Sequence, residues 1–485
     1  MGYRYSLCGF LWVQSGLNKF TWLYGSLRQD IDAGIWLPGE RLPSIRSLVV
    51  SKQVSKNTIL RALAELESSG YLYAKPRQGF FVTERKTQPA TASFRQTKLQ
   101  ASEVSLPAVF HTIMAKGAAF DLTPEAEDKL IPTHLVELNR ALGRAQKQAQ
   151  SEVAFYYDAP GGDTLLKQQL RARYQHRNLA IADSDICITG GCQNALFLAL
   201  SVCCEPGDTV AVESPCFYGV LQLLEQLRLQ IVEIPSSAKT GMAVEQLKRA
   251  LAAFPIKACV ITPNFATPSG AQMQEDDKRA LVALANEYEF TIVEDDIYGD
   301  LGFDQETVPL ASYDTQDRVI LCGSVSKSLS RDLRVGWVIS RRWQSELLRL
   351  KLASQLAGSR VTQRALANFI RNGDYRRHLL RFKRSLQMQR NQLLSAMKSY
   401  WPKQAQYQVP HGGLALWVVL PQECDTNDLY QAMLPQGIIL TPGSLFSSQG
   451  AFHHCLRLSF NQPYVGRRLT AIKTLGHVLN TKISC

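Results

Sequence analysis

The sequence predicts an α/β protein of two domains, in which a small N-terminal module of helices and a hairpin precedes a large domain with a mostly parallel sheet. Residues 18–85 contain three stretches of helical periodicity followed by two short strand-like runs. Over residues 118–485, apolar strand-like runs alternate with amphipathic helical segments. The intervening residues 86–117 begin with a polar stretch that lacks apolar periodicity, which predicts a linker.

The composition is that of an ordinary globular chain, with 485 residues, 45% hydrophobic residues and a formal net charge of +12. The charge is unevenly distributed, because residues 1–90 carry 12 basic and 6 acidic residues and so hold half of the excess. A basic N-terminal module indicates a polyanionic partner. A solvated basic face would give the same count.

Eleven cysteines are scattered along the chain without a C-x-x-C pair, and several lie in apolar strand-like runs, among them Cys187, Cys259 and Cys322. We therefore expect buried free thiols, a reducing cytoplasmic location and no metal site. The apolar run Leu7–Val13 is too short to cross a membrane and lacks a cleavage site. Neither a membrane anchor nor a signal peptide is expected.

The N-terminal module begins with a predicted helix over residues 19–34, which ends at Gly34. Its inward face carries four apolar residues, namely Trp22, Leu23, Leu27 and Ile31. Pro43 and Ser44 are expected to open a second helix.

A third helix is expected to begin at its N-cap Ser55, to run through Ser68 and to end at Gly70. Its predicted inward-facing residues are Ile59, Leu60, Leu63 and Leu66. The following run YLYAKPRQGFFV predicts two short strands around a tight turn over residues 76–79. Three helices and a hairpin form a winged helix-turn-helix.

In such a module the first turn of the recognition helix enters the major groove of DNA. Here that turn carries Ser55, Lys56, Asn57 and Thr58. Arg46 on the preceding helix is placed for a phosphate or base contact, and the wing offers Lys75, Arg77 and Gly79. A helical protein-interaction module with surface charge is the alternative that composition leaves open.

The spacing of the motifs adds a resemblance to this interpretation. The stretch from LYGSLRQDIDAG through RLPSIR, VSKNT and GYLYAKPRQGFFV resembles the winged helix of GntR-type transcription regulators nearly end to end. The resemblance implies binding to double-stranded operator DNA, usually as a dimer on two half-sites.

The large domain carries its most informative motif in the run GSVSKSLSRDLRVGW, which contains Lys327. A lysine amine can form a Schiff base with an aldehyde cofactor. Ser324 and Arg334 in the same run can bind the phosphate of such a cofactor, the arginine through its rigid fork. Taken alone, Lys327 could equally be an ordinary surface lysine.

Further segments supply the other groups that pyridoxal 5'-phosphate requires. Asp295 and Asp296 close an apolar strand, and either carboxylate could pair with the ring nitrogen, although Tyr298 three residues after Asp295 favours the first. A helix N-cap acid is the alternative. The turn Gly190–Asn194 can present backbone amides to a phosphate at a helix N-terminus. Phe217 can stack on a ring or pack in the core.

These segments together resemble fold-type I aminotransferases over roughly residues 120–480. The motifs include YYDAPGGDTLL, PHGGLALWVVLP, GIILTPGSLF and LRLSF. By that resemblance Lys327 is the Schiff-base lysine, Asp295 pairs with the ring nitrogen, and Tyr298 bonds the ring oxygen. The remaining implied contacts are Ser324, Ser326, Arg334, Gly191, Cys192 and Gln193 for the phosphate, Phe217 for ring stacking, Tyr157 for the phosphate of the neighbouring subunit, and Arg457 for a substrate or effector carboxylate.

One position departs from the family pattern. Where the family has an N-P-[TS]-G loop whose asparagine bonds the ring oxygen, this chain has the loop Phe265–Gly270 with Thr267 at the asparagine position. A threonine hydroxyl is a shorter and differently aimed donor than an asparagine amide. We therefore expect cofactor binding with less efficient transamination.

The order of winged helix, linker and aminotransferase-like domain resembles the MocR subfamily of bacterial transcription regulators. That resemblance implies a cytoplasmic homodimer that binds operator DNA and senses pyridoxal 5'-phosphate or a small amino compound through an aldimine at Lys327. An aminotransferase with a DNA-binding appendage is the alternative, and rapid amino-group exchange with a keto acid would distinguish it. A third possibility is a degenerate domain that binds no cofactor and only dimerises.

Overall fold

The structure is a computed structural model that describes residues 18–32, 36, 39–75, 78–83, 99–104, 108–115, 122–123, 132–151, 157–303 and 306–484. The chain divides into two compact units, residues 1–90 and residues 91–485. Among the described residues, no helix has the length and apolar character needed to cross a membrane.

The small unit contains three helices and a hairpin, as predicted. The elements are α1 (Lys19–Asp32), α2 (Ile45–Lys52), α3 (Lys56–Ser68), β1 (Leu72–Lys75) and β2 (Gly79–Val82), with β1 and β2 antiparallel. Ser44 and Ser55 are the N-caps of α2 and α3, since their hydroxyl oxygens accept hydrogen bonds from Ser47 N at 3.1 Å and from Thr58 N at 3.2 Å.

The core of the small unit follows the predicted helical periodicity with one exception. Its fully buried side chains include Leu23, Leu27, Leu48, Ile59, Leu63 and Leu66. Leu60 was expected to face inward but is 38% exposed, because it follows the buried Ile59 by about 100° around the helix. Gly34 and Arg77 lie outside the described residues.

The large unit is built on a nine-stranded sheet with the order β3-β6-β5-β8-β9-β10-β11-β4, in which β7 pairs with β6. The strands are β3 (Ser102–Glu103), β4 (Ile186–Thr189), β5 (Thr209–Ser214), β6 (Gln230–Ser237), β7 (Gly241–Met242), β8 (Ile256–Ile261), β9 (Thr291–Asp295), β10 (Val319–Ser324) and β11 (Gly336–Ile339). Six of them, β4, β5, β6, β8, β9 and β10, run in one direction, so the sheet is mostly parallel as predicted.

Helices cover both faces of this sheet, and a second antiparallel sheet follows it. The helices are α4 (Ala108–Ala115), α5 (Thr133–Ser151), α6 (Thr164–His176), α7 (Cys192–Cys203), α8 (Tyr218–Gln226), α9 (Val244–Ala253), α10 (Glu275–Tyr288), α11 (Gln344–Ser354), α12 (Arg360–Arg371), α13 (Asp374–Tyr400), α14 (Thr426–Met433) and α15 (Gly466–Ser484). The second sheet has the order β12-β13-β15-β14, with β12 (Gln406–Tyr407), β13 (Ala415–Val419), β14 (Thr441–Pro442) and β15 (Cys455–Ser459).

Part of the segment predicted as a linker belongs to the large unit. Strand β3 pairs with β6 at the edge of the main sheet, and Phe110 and Ile113 of α4 are buried in the core that surrounds the second sheet. The sequence pattern could not reveal this, because a two-residue edge strand and a two-turn helix are too short for a periodic signal.

The parallel strands bring chemical groups to one edge of the sheet. Strands β9 and β10 pair in parallel with Cys322 opposite Asp295, so Asp295 and the segment that follows Ser324 emerge side by side. Ligands in open α/β sheets bind at this carboxyl edge.

Candidate functional site

Lys327 lies three residues beyond the end of β10 and is half-buried. Burial and the positive charges of Arg457 and Arg331 lower the pKa of its ammonium to about 8, while Asp295 acts in the opposite direction. At pH 7 about one in ten of such amines is neutral, compared with fewer than about one in a thousand at the ordinary pKa of lysine. The site therefore favours a nucleophilic amine.

Asp295 is buried at the end of β9. One of its oxygens, Oδ1, accepts hydrogen bonds from the Cys192 thiol at 3.2 Å and from Ile297 N at 3.1 Å. Burial raises the pKa of this carboxyl to about 6, against the opposing effects of the Cys192 and Ile297 hydrogen bonds. Asp295 is therefore mostly ionised at neutral pH and can pair with a cation in the site.

Both carboxylate oxygens of the neighbouring Asp296 are already bonded to other residues of the chain. Both of its oxygens accept hydrogen bonds from the buried Arg177 guanidinium, at 2.5 and 2.8 Å, and Tyr174 donates a third at 3.2 Å. The choice between the two carboxylates, which the sequence left open, thus favours Asp295 as the one available to a ligand.

The predicted phosphate turn lies against Arg334. The Arg334 guanidinium donates to the Gly190 carbonyl at 2.8 Å, and Gly191 adopts a positive φ of 107° as the residue before α7. A methyl group in place of the Gly191 hydrogen would lie 2.7 Å from that guanidinium, and a methyl group on Gly336 of β11 would lie 2.5 Å from the Gly191 carbonyl carbon. Only glycine allows this approach of backbone, guanidinium and helix N-terminus.

Three other predicted phosphate contacts have partners within the chain. The Ser324 hydroxyl donates to the Val335 carbonyl at 2.8 Å and accepts from Ser326 N at 3.1 Å. The Gln193 side-chain amide donates to the Gly219 carbonyl at 2.7 Å. The Ser324 hydroxyl and the Ser326 amide hold the segment before Lys327, and the Gln193 side chain joins the start of α7 to α8. The backbone amides of the Gly191 turn and Arg334 are therefore the groups best placed for an anion.

A cluster of buried polar side chains surrounds Tyr298. Tyr298 is buried, which raises the pKa of its hydroxyl, while Arg457 and Thr267 act in the opposite direction. The Thr267 hydroxyl lies beside Tyr298 but has no hydrogen bond of good geometry among the described residues. Arg457 on β15 is buried and also acts to lower the pKa of the nearby Tyr218, against the effect of burial. Tyr218 was not among the predicted site residues.

The two predicted aromatic contacts differ in their surroundings. Phe217 precedes α8 and is half-buried, and its ring lies 4.7 Å from that of Tyr218 between centroids. Tyr157 is 78% exposed in this single chain. A role for Tyr157 within its own subunit has no support from its position.

Ser328, the residue that follows Lys327, is held by contacts that the sequence did not reveal. The Ser328 hydroxyl bonds the Tyr375 hydroxyl at 2.7 Å, and Tyr375 donates to Asp300 at 2.8 Å. His378 Nε2 bonds the Ser328 carbonyl at 2.7 Å. Tyr375 and His378 lie on α13, about fifty residues from Lys327, so no local motif could have identified them.

In the small unit, the first turn of α3 divides into two kinds of side chain. Ser55 and Thr58 bond each other at 2.8 Å between their hydroxyls, and Ser55 also caps the helix. Lys56 and Asn57 are exposed, as is Arg46 on α2. Lys56 and Asn57 are therefore more available to DNA than the two hydroxyl residues.

The wing also carries exposed basic groups. The Lys75 ammonium lies 4.6 Å from the centroid of the Phe81 ring, and Gly79 has a positive φ of 106°. Arg41, a residue of the RLPS motif that was not singled out, lies beside Gly79, with its Nε 3.5 Å from where a side chain would begin. Among the described residues no group of His, Cys, Asp and Glu is arranged to hold a metal ion.

Comparisons with known families match both units. The family "Aminotransferase class I and II" matches residues 128–467, and the family "Bacterial regulatory proteins, gntR family" matches residues 21–82. The HTH-type transcriptional regulators YjiR and YdcR of Escherichia coli (strain K12), both described as uncharacterized, are 32% and 33% identical to the chain. Each alignment covers 96% of this chain, with 99% of YjiR and 100% of YdcR.

Solved structures share the fold of the large unit. The kynurenine aminotransferase of Pyrococcus horikoshii superposes with a TM-score of 0.70 at 24% identity, over 79% of this chain and 96% of that protein. The α-aminoadipate aminotransferase LysN of Thermus thermophilus, complexed with N-(5'-phosphopyridoxyl)-L-leucine, gives a TM-score of 0.69 at 24% identity, over 78% of this chain and 96% of LysN.

The residues present fit pyridoxal 5'-phosphate, the cofactor of this aminotransferase fold. A low-pKa amine, a buried carboxylate and a glycine turn beside an arginine match its aldehyde, ring nitrogen and phosphate. The buried Thr267 hydroxyl offers a donor for a ligand oxygen. With both families matched and two full-length relatives above 30% identity, this chain belongs to the MocR subfamily of GntR-type bacterial regulators, in which a winged helix-turn-helix precedes a fold-type I aminotransferase domain.

Proposed function

We propose that this protein is a DNA-binding transcription regulator whose large domain binds pyridoxal 5'-phosphate and responds to a small amino compound. The observation that carries the proposal is that one chain combines the Lys327, Asp295 and Arg334 arrangement with a winged helix whose Lys56 and Asn57 are exposed. The names of YjiR and YdcR as transcriptional regulators support it.

In this proposal each residue of the site has a defined task. Lys327 supplies the amine that holds the cofactor covalently, and Asp295 holds the proton of the ring nitrogen by pairing with it. Arg334 and the amides of the Gly191 turn hold the phosphate. When bound, the cofactor supplies a carbonyl that exchanges amines and an electron-withdrawing ring.

Arg457 is the proposed anchor for the ligand. It is buried close enough to Lys327 to lower the pKa of that amine. A guanidinium binds a carboxylate through two parallel hydrogen bonds. A ligand with both an amine and a carboxylate would therefore reach Lys327 and Arg457 together.

Thr267 supports sensing rather than efficient turnover. An asparagine amide can donate to the ring oxygen across the loop, whereas the Thr267 hydroxyl has a shorter reach and already lies beside Tyr298. Weaker control of the ring oxygen leaves cofactor binding intact and slows the proton transfers that transamination requires. The protein would then hold its amine ligand instead of consuming it.

We also propose that the regulator acts as a homodimer in the cytoplasm. Tyr157 is 78% exposed in the single chain, which suits the expected contact with the phosphate of a neighbouring subunit. A dimer presents two winged helices to two half-sites. The ligand would shift the population between two arrangements of these modules, which requires that it bind one arrangement more tightly than the other.

An absorbance titration of the purified protein tests the proposed function. Pyridoxal 5'-phosphate should generate a visible band, and one amine from a panel of amino acids and amines should shift that band without releasing a keto acid. Steady keto-acid formation would favour the aminotransferase alternative, which the retained Lys327, Asp295 and Arg457 keep open. Absence of any band would contradict the cofactor role.

A further inference from the structure

Two helices of the large unit carry regular stripes of exposed basic side chains. The stripe on α5 consists of Arg140, Arg144 and Lys147, and the stripe on α13 consists of Arg377, Arg381 and Arg384. In both helices the spacing is i, i+4, i+7, which places the three side chains on one helical face.

The two stripes meet at an ion pair between the helices. Arg381 Nη2 lies 3.5 Å from Glu137 Oε2, and Glu137 precedes Arg140 and Arg144 by three and seven residues on α5. Next to this pair, the rings of His134 and His378 lie with their centroids 4.2 Å apart and their planes tilted by 36°. The stripes therefore form one continuous surface rather than two separate ones.

This surface holds a large excess of positive charge. Arg371 at the end of α12 and Arg376 on α13 are exposed beside the stripes, so eight basic side chains face two carboxylates, Glu137 and Asp374. That is a formal excess of six, and residues 91–485 as a whole carry 42 basic and 36 acidic residues, also an excess of six. The formal positive excess of this surface, called the basic face below, equals that of the whole unit.

An ordinary solvated helix of this protein has a different charge pattern. Helix α10 mixes signs on its exposed side, and Arg279 lies 2.6 Å from Glu275 one turn earlier. On the basic face, four arginines have no acidic side chain within ion-pair distance among the described residues: Arg140, Arg144, Arg376 and Arg384. Uncompensated like charges repel one another, so their clustering favours an anionic partner.

We propose that the basic face binds the phosphate backbone of double-stranded DNA, as a second contact in addition to the winged helix. Seven of its eight basic residues are arginines, whose guanidinium forks bind phosphate oxygens in pairs. Such contacts read no bases and extend the length of DNA that the protein covers. An acidic protein surface is the competing partner, and the test separates the two.

The proposal rests on the proposed function of DNA binding, and its test uses the full-length protein. The test variant replaces four arginines with glutamine: Arg140→Gln, Arg144→Gln, Arg376→Gln and Arg384→Gln. A control variant removes the same charge from other exposed sites of the same unit: Arg228→Gln, Lys248→Gln, Arg249→Gln and Lys257→Gln. Equal unfolding temperatures of the three proteins would exclude a folding defect.

The measurement is the salt dependence of binding to a duplex of about 60 base pairs of arbitrary sequence. Each lost phosphate contact reduces the magnitude of the slope of log K against log salt by about 0.9. The magnitude of the slope should therefore fall by about 2 to 4 in the test variant and stay nearly unchanged in the control variant. Equal slopes for the two variants would overturn the proposal and leave an acidic protein as the partner of this face.

A third variant separates this proposal from the proposed function. Lys56→Ala combined with Asn57→Ala weakens the winged helix alone. If those changes leave sequence-specific binding intact while the basic-face variant loses binding, the winged-helix function fails and the basic face stands. If wild-type protein shows no salt-dependent DNA binding, both proposals fail.

Discussion

The Cys192 thiol donates a hydrogen bond to Asp295 Oδ1 across 3.2 Å, which links the first residue of α7 to the end of β9. Burial and the nearby Asp295 charge raise the pKa of this thiol, so the proton stays on sulfur and the thiol remains a donor. The predicted phosphate turn and the carboxylate predicted to hold the ring nitrogen are therefore directly connected.

Removal of this donor should weaken cofactor binding in a pH-dependent way. Cys192→Ala leaves the Asp295 carboxylate with one fewer donor, which raises its pKa above the present value of about 6. We expect a loss of about 1 kcal/mol, or roughly fivefold in affinity, at pH 6.5 and a smaller loss at pH 8.5, where the carboxylate is ionised in both proteins. Absorbance titrations at the two pH values measure this. Cys192→Ser, which keeps a donor, should bind the cofactor about as tightly as wild type. A wild-type affinity of Cys192→Ala at both pH values would contradict the role of this hydrogen bond.

The lowered pKa of Lys327 predicts the pH dependence of cofactor capture. Since only the neutral amine attacks a carbonyl, the rate of band formation should rise with pH and level off above about 8, rather than above about 10 as for an exposed lysine. Stopped-flow absorbance between pH 6 and pH 10 measures the midpoint. Arg331→Gln, which removes a nearby positive charge, should move that midpoint upward; a rate that still rises steeply above pH 9.5 in wild type would contradict the assigned environment.

The adjacent carboxylates Asp295 and Asp296 should respond differently to the same substitution. Asp296→Asn breaks a buried pair with Arg177 and should lower the free energy of unfolding by about 3 kcal/mol. The pKa of Asp295 is higher in the folded protein than in the unfolded chain, so its ionised carboxylate destabilises the fold near neutral pH. Asp295→Asn removes that carboxylate, and the free energy of unfolding should therefore not fall. Chemical denaturation measures the stabilities and absorbance titration the cofactor affinity. Destabilisation by both variants to the same extent would contradict the division of roles.

Replacement of Thr267 by the family residue should favour turnover. Thr267→Asn provides an amide that can donate to the ring oxygen, and we expect amino-group exchange with a keto acid to become about tenfold faster, a change of about 1.4 kcal/mol in the barrier. Thr267→Val, which keeps the shape and removes the hydroxyl, is the matched control and should weaken cofactor binding only modestly. Single-turnover absorbance measurements compare the three proteins. A wild-type rate equal to that of the asparagine variant would show that Thr267 does not limit exchange.

Base readout by the winged helix should depend on Asn57 more than on its neighbours. Asn57→Ala should reduce specific binding by about 1–3 kcal/mol and leave non-specific binding unchanged. Ser55→Ala removes a helix cap instead and should cost about 1 kcal/mol of stability in the small unit. Competition binding with specific and arbitrary duplexes gives the specificity ratio, and an unchanged ratio for Asn57→Ala would exclude it from base readout.

The sequence predicted those elements whose signals are local. Ser44 and Ser55 cap their helices as expected, and the parallel strands that end at Asp295 and Ser324 lie side by side. Leu60 was misassigned because it follows the buried Ile59 by about 100° around the helix, away from the face that Ile59 shares with Leu63 and Leu66. The roles assigned to the site residues remain predictions.

Contacts between distant segments lay beyond sequence reasoning. The Arg177 pair that separates Asp296 from Asp295 spans more than a hundred residues, as does the Cys192 bond to Asp295. The Ser324 hydroxyl, which was predicted to bind a phosphate, donates to the Val335 carbonyl, and the Gln193 side chain, in the turn predicted to offer its backbone amides, donates to the Gly219 carbonyl. Such partners depend on how strands are ordered in the sheet, which no short motif encodes.

One measurement tests most directly whether Lys327 couples an amine ligand to DNA binding. An operator is first selected from random-sequence duplexes with the full-length protein. Its affinity is then measured by fluorescence anisotropy for wild type and Lys327→Ala, with pyridoxal 5'-phosphate and each amine of the panel. We predict that one amine changes the operator affinity of wild type severalfold and leaves that of Lys327→Ala, which keeps its basal affinity, unchanged. An equal response in both proteins would contradict this coupling.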